Sequence, residues 1–466
     1  MTSALPPATL AALRKSGHVR ESVKDELRRN LLSRLRSGEA RLPGIVGYDH
    51  TVLPQLANAL IAGHDMILLG ERGQAKSRIM RSLVNLLDQL TPVIAGCEIN
   101  DHPYEPICRR CRDLVQERGE DTPVAWLGRG DRYGEKLATP DISIADLIGE
   151  VDPIKVAEGR YLSDELTIHY GLIPRCHRGI FGINELPDLA ERIQVGLLNI
   201  MEEKDVQIRG YRVRMPLDLV VVASANPEDY TSRGRIITPL KDRFGSQIRT
   251  HYPLAIEEEV AIMEAEGSAP PAGVEVLVPG FMKEIVAEMT HLARRSPHIS
   301  QSSGVSVRMS IGNFESLSAN AIRRAARLGE EVAVPRISDL AYLVPSTAGR
   351  VEIEALDEGK EEQVLERIRR GAVAAVFGRH FAPSQFESLV GRFDEGQVIE
   401  VGESLPAASY GRAFGSGAEL GPALRRLQLP DRPEVRASAL EFLLEGLHLA
   451  KRLNKDDMND RVIYRR

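Results

Sequence analysis

Apolar positions along this chain follow three rhythms, and each predicts a different kind of element. Leu10, Leu13, Val23, Leu27, Leu31 and Leu35 recur at near-helical spacing among many Arg and Lys, predicting a basic helical leader over residues 1–42. The leader reads as an amphipathic helix packed on its own protein or on a neighbouring subunit, with a nucleic-acid arm as the alternative. After a break at Leu42, Pro43 and Gly44, helical spacing resumes over 50–62. Short unbroken apolar runs follow at 66–69, 180–183 and 219–223, with the length and composition of strands covered on both faces. Residues 206–215 alternate apolar with polar around Gly210 and Tyr211, the pattern of a β-hairpin.

Helical spacing returns over 191–203, from 253 to 266 and from about 302 to 328. Residues 92–140 show neither rhythm and read as an irregular insertion. Beyond 350 come an acidic run at 352–362, helical segments over 364–377, and a Gly/Ser/Ala-rich passage at 401–421 that reads as a long flexible loop. A closing amphipathic helix at 434–453 carries Leu440, Leu443, Leu444 and Leu447 on one face. No internal repeat is present. A chain of 466 residues is too long for one core and divides into about three domains.

Composition narrows the classes. A net charge of -6 argues against a chain-wide nucleic-acid surface. The apolar runs are strand length rather than membrane length, and the first residues hold no sustained apolar region, so a cytoplasmic location is expected. Four cysteines in so long a chain do not make a disulfide scaffold. Cys108 and Cys111 have the two-residue gap of a zinc knuckle, and Cys97 and His102 are the candidates to complete four ligands; reduced, unliganded thiols are the alternative. Cys176, beside an apolar strand, reads as a small core residue.

The densest chemistry follows the first apolar run. Gly70, Glu71, Arg72, Gly73, Gln74, Ala75, Lys76 and Ser77 keep the spacing of a phosphate-binding loop, with Ala75 where the generic pattern has its second Gly. In such a loop backbone N–H groups cradle phosphates, the Lys reaches their terminal oxygens and the hydroxyl holds Mg²⁺. Val46 and Gly47, in the turn before it, can close over an adenine ring. The run 180–183 delivers Asn184 and Glu185 to a strand end, where ATPases normally place Asp and Glu. Glu185 can serve as base; neutral Asn184 offers Mg²⁺ a weaker partner. The run 219–223 leads to Asn226, an amide able to reach a γ-phosphate or the attacking water. Arg243, at a predicted helix end, suits a finger placed in a neighbouring subunit's site. Arg308 lies in the first turn of a helix, against the dipole preference, and so calls for an anionic neighbour, a phosphate or a carboxylate.

As an ordered set these residues resemble the AAA+ ATPases, and most closely the I subunit of magnesium chelatase and the related MoxR-type ATPases. The likeness rests on Ala75, Lys76 and Ser77, on Arg175 through Gly179, on Leu147, Ile148 and Gly149 through Asp152 to Gly159, on Asn226, Pro227 and Glu228, and on Leu240 through Gly245. It covers roughly residues 43–345. It implies an α/β fold: a P-loop αβα nucleotide domain at 43–255 carrying a helix insertion at 146–175 and the hairpin, a helical lid at 256–349, and a mostly helical region of unknown role at 350–466. It further implies a hexameric ring, ATP and Mg²⁺ as ligands, Ser77 and Asn184 as the Mg²⁺ side of the site, Asn226 and Arg308 as sensors, Arg243 acting across subunits, and a von Willebrand factor A domain protein as partner.

The expected function is an ATP-driven motor that remodels a partner protein, in metal or cofactor insertion among other tasks. Two alternatives stand beside it. Asn184 favours a nucleotide-gated scaffold with little turnover. The Ala-Lys-Ser loop and the hairpin, with Arg209, Arg212 and Arg214, are shared with the DNA-acting MCM helicases, although no substantial N-terminal DNA-binding domain is apparent.

Overall fold

The computed structural model describes residues 6–39, 42, 44–152, 154, 157, 165–202, 205–208, 211–227, 235–300, 304–353, 360–414, 420–458 and 461–466. It divides into two compact units, Met1–His251 and Tyr252–Arg466. Glu228, Arg209, Gly210 and most of 153–164 lie outside the described residues, as do the side chains of Arg212 and Arg214.

The first unit is built on five parallel strands: β1 (Met66–Leu69), β2 (Tyr133–Leu137), β3 (Gly179–Asn184), β4 (Leu219–Ala225) and β5 (Ser246–Arg249), side by side in the order β5-β1-β4-β3-β2. The apolar runs are unbroken because both faces are covered. Met66, Leu68, Ile180, Val220, Val222 and Ile248 join one core, while Ile67, Phe181, Ile183, Val221 and Ala223 join the other.

The first core is roofed by the helices Val23–Ser37, Val52–Ala62 and Lys76–Ser82. The leader is therefore a layer of this unit. Ser22 caps its main helix, Gly38 ends it in the left-handed conformation, and Val23, Leu27 and Leu31 are buried against the sheet layer. Arg132, 1% exposed, grips both Glu26 carboxylate oxygens at 2.7 and 2.6 Å, and the Val23 N–H donates to Asp218 Oδ2 at 3.0 Å.

Residues 92–140 are not irregular. Leu90–Ile94 pairs antiparallel with Val124–Gly128, the helix Arg109–Arg118 lies between them in sequence, and 133–137 is the sheet's own strand β2. The sequence hid this because Tyr133 to Leu137 mixes charge with one Gly, as suits an edge strand rather than a central one. The second core takes in the short helix Ile144–Leu147, the pair Gly149–Val151 with Ile168–Tyr170, and the helix Glu191–Glu202. The hairpin is present as Asp205–Ile208 with Tyr211–Arg214.

The second unit joins what the sequence separated at 350. Residues from Met263 to Tyr464 share one core, in which Phe281 of the helix Gly280–Arg295 stacks on Phe442 of the helix Pro433–Leu449 with ring centroids 4.4 Å apart. The latter helix is not amphipathic: Val435 and every residue from Ala437 to Leu447 are buried. The passage 401–421, expected as a loop, holds the helix Ala407–Phe414 and the start of the helix Leu420–Arg426, and the antiparallel strands Ile399–Gly402, Asn454–Met458 and Arg461–Arg465 complete the unit. No described helix is long and apolar enough to cross a membrane.

Candidate nucleotide site

The loop between β1 and the helix Lys76–Ser82 is shaped by close approach. A Cβ on Gly70 would stand 1.9 Å from the Thr250 hydroxyl and 2.2 Å from Gln74 Oε1, so only glycine fits. Gln74 Oε1 accepts from the Glu71 N–H at 3.0 Å and from Thr250 Oγ1 at 2.8 Å, fixing the loop from inside. Gly73 and Ala75 are both left-handed, at φ 78° and 54°. Ala75 thus adopts the conformation that the pattern's usual Gly adopts freely, at a cost of roughly 1–2 kcal/mol. Arg72 is exposed on the loop's outer side.

Tyr48, which the sequence did not single out, donates to the Gln74 carbonyl at 2.9 Å and the His251 carbonyl at 2.7 Å. It anchors the Val46 and Gly47 turn beside the loop; Gly47 is left-handed at φ 80°.

Two hydrogen-bonded chains meet at the strand ends. In the first, Lys76 Nζ donates to Asn226 Oδ1 at 2.7 Å and to the Gly70 and Glu71 carbonyls at 2.5 and 2.8 Å, and Asn226 Nδ2 donates to Glu185 Oε2 at 2.7 Å. In the second, Ser77 Oγ donates to Asn184 Oδ1 at 2.8 Å, and Asn184 Nδ2 donates to Glu135 Oε1. Glu185 sits in the left-handed region at φ 55°, its N–H held by Ser224 Oγ at 3.2 Å; backbone strain of this kind gathers where side chains are aimed for use.

Glu135, on β2, is the residue that sequence reasoning missed. Its carboxylate also receives Arg81 Nε at 2.7 Å, Arg81 Nη2 at 2.8 Å and Tyr133 Oη at 3.0 Å. Burial pushes its pKa up, but the bonds from Arg81, Tyr133 and Asn184 outweigh that and hold it below the usual carboxylate range. Arg81 and Asn184 lie 54 and 49 residues away, so no local pattern marks Glu135. Ser77, Arg81, Glu135, Leu137, Asn184 and Glu185 line one open cleft of about 510 Å³.

These donors suit Mg²⁺. Ser77 Oγ and Asn184 Oδ1 already meet, and Glu135 brings to the same cleft the negative charge that Asn184 lacks.

Arg243 ends the helix Thr238–Arg243, partly exposed and ion-paired with Glu202 of the same unit. Arg308 is the first residue of the helix Arg308–Leu328 in the second unit, with an exposed side chain.

The expected four-ligand cysteine set needs correction. The sulfurs of Cys97, Cys108 and Cys111 cluster with Asp101, not with His102. His102 Nδ1 accepts from the Tyr104 N–H at 3.0 Å, and its ring stacks on His18 with centroids 5.5 Å apart. Burial and the neighbouring Cys97 push the Asp101 carboxyl up to about 6. Cys176 is the core residue expected: it is 3% exposed, and burial pushes its thiol up to about 12.

A five-stranded parallel sheet with a phosphate loop after β1, Asn226 at the end of the adjoining central strand β4 and Asn184 and Glu185 at the end of the next strand, β3, defines a P-loop ATPase-type nucleotide domain. No protein-family model matches the chain. Among curated proteins, the chloroplastic magnesium-chelatase subunit ChlI-2 of Arabidopsis thaliana is 28% identical over 227 residues, 47% of this chain and 50% of that protein. The magnesium-chelatase 38 kDa subunit of Acidiphilium rubrum is 26% identical over 242 residues, 49% of this chain and 62% of that one. A solved complex between subunits BchI and BchD of magnesium chelatase is 20% identical, with a TM-score of 0.35, covering 69% of this chain and 98% of that chain. The chain thus spans half to about three fifths of the length of these curated relatives. Over about half of its length the chain is thus similar to magnesium-chelatase subunits.

Proposed function

We propose that this protein is an ATP-driven, ring-forming motor that remodels a partner protein, in the manner of a chelatase or MoxR-type ATPase. The observation that carries the reading is the chain Lys76–Asn226–Glu185, which ties the phosphate-binding ammonium to a carboxylate through a single amide. A protein that only bound nucleotide would have no use for a base held in a strained, aimed conformation. In the motor, Lys76 holds the terminal phosphates and Asn226 orients Glu185. Glu185 takes the proton of the attacking water, and Arg243 of one subunit meets the charge spread over the transferring phosphoryl group in the next. Ser77, Asn184 and Glu135 would hold Mg²⁺, which when bound neutralises phosphate charge. The relatives are named as subunits of magnesium chelatase, which supports assembly with other subunits, and the partner we expect is a von Willebrand factor A domain protein acting in metal or cofactor insertion. Alongside ATP and Mg²⁺, the protein would carry a second, structural metal.

Particle images with ATP and Mg²⁺, paired with turnover measurements, test this. Rings are expected from the native chain, with Glu185→Gln keeping rings and nucleotide affinity while turnover falls by roughly 10²–10⁴. Lys76→Ala should abolish both binding and assembly. Turnover unchanged in Glu185→Gln would favour the scaffold, for which Asn184 is the argument; restored or raised turnover in Asn184→Asp would locate the limitation at that amide.

A further inference from the structure

We propose that Cys97, Asp101, Cys108 and Cys111 form a buried structural site for a zinc-class divalent cation, separate from the nucleotide site. Their four donor atoms lie within 4.8 Å of one another. A tetrahedral zinc bound by three thiolates and one carboxylate oxygen sets donor separations of roughly 3.5–3.8 Å, within a small contraction of what is present. Cys108, Cys111 and Asp101 are 4%, 0% and 0% exposed and Cys97 is half-buried, and four protein donors leave no open position, as in structural rather than catalytic zinc sites.

An independent observation points the same way. Asp101 Oδ2 accepts from the Cys108 N–H at 3.0 Å, but Oδ1, fully buried, has no hydrogen-bond partner among the described residues. A buried carboxylate oxygen without a partner is costly, and one beside three thiols is resolved most directly by a cation that all four share. Disulfide formation does not resolve it: one bridge leaves an odd thiol and the same orphaned oxygen.

The surroundings say what such a metal would do. Cys97 follows the strand Leu90–Ile94, Cys108 caps the helix Arg109–Arg118 by accepting from the Cys111 N–H at 3.4 Å, and Asp101 lies in the turn between. The same helix holds Glu165 through the Arg109 N–H at 2.7 Å and Arg112 at 3.0 Å, and Asn100 Nδ2 donates to the Arg175 carbonyl at 2.8 Å. Binding would clasp strand, turn and helix into one body and fix them against the segment that leads into β3. None of the four ligands touches the phosphate loop, so the metal shapes the flank of the insertion and not the grip on nucleotide.

Elemental analysis of the full chain, purified under reducing conditions, tests the assignment. One equivalent of zinc per chain is expected, retained by His102→Ala and lost in Cys111→Ser and Asp101→Ala. Because those last variants could fail to fold, the native chain carries a second readout. Cobalt exchanged into it should give thiolate-to-metal charge-transfer bands, and X-ray absorption at zinc should show three sulfurs and one oxygen. Native protein that takes up no stoichiometric zinc or cobalt, a disulfide among the three cysteines, or a nitrogen in place of the oxygen would each overturn the site as assigned.

Discussion

Two side chains at the nucleotide site carry consequences out of proportion to their size. Ala75 holds a left-handed backbone at φ 54°, and glycine there would shed that strain while adding freedom to the unfolded chain. The balance favours the substitution: Ala75→Gly should raise stability by about 0.5–1 kcal/mol in urea unfolding, with nucleotide affinity kept. In the proposed site Glu135, whose two oxygens also take Arg81, would supply the charge that Asn184 does not. Glu135→Gln should leave metal-free nucleotide binding intact but raise the concentration of Mn²⁺ needed for half-saturation by roughly tenfold or more, read by paramagnetic resonance. An unchanged metal titration would remove Glu135 from the site. The amide at 184 was visible in the sequence; the carboxylate that answers it was not, because it arrives from a strand whose polarity disguised it.

At the level of elements, the strands that deliver the site were legible since burial on both faces leaves an unmistakable apolar run, as at Gly179–Asn184 and Leu219–Ala225. The helix Pro433–Leu449 was misjudged for the opposite reason. Its buried side includes Glu441 and Glu445, which look like a solvated face until Tyr410 is found donating to Glu441 at 2.6 Å and Tyr464 donating to Glu445. Gly446 of that helix lets Phe377 approach: a Cβ would stand 2.1 Å from the ring. Gly446→Ala should therefore cost about 1–3 kcal/mol through overpacking, seen as a lower midpoint for the second unit in denaturant. Asp101 escaped notice for a related reason: zinc-like spacing draws the eye to Cys and His, whereas the turn conformation selects the carboxylate.

For the molecule as a whole, acid acts on the first unit through a buried histidine. His177, 3% exposed, accepts from the Asp218 N–H at 2.9 Å, and burial, reinforced by the neighbouring Arg178 charge, lowers its pKa from 6.5 to about 3. The unfolded chain then binds a proton that the folded chain refuses, so this contribution is intact above about pH 6.5 and is lost progressively as pH falls towards 3. Denaturant midpoints measured stepwise over that window should fall, and His177→Gln should flatten the slope. A slope unaltered in the variant would assign the acid sensitivity elsewhere.

The bond from the Val23 N–H to Asp218 spans 195 residues. At ribosomal speeds of roughly 5–20 residues per second, the interval between those two positions emerging is on the order of ten to forty seconds. Throughout it Val23, Leu27 and Leu31 have been made, but β4, whose Val220 and Val222 complete the core they join, has not. A helix that looks like a preface is thus a piece waiting for its place, and the nascent chain carries an incompletely covered apolar stripe until β4 appears.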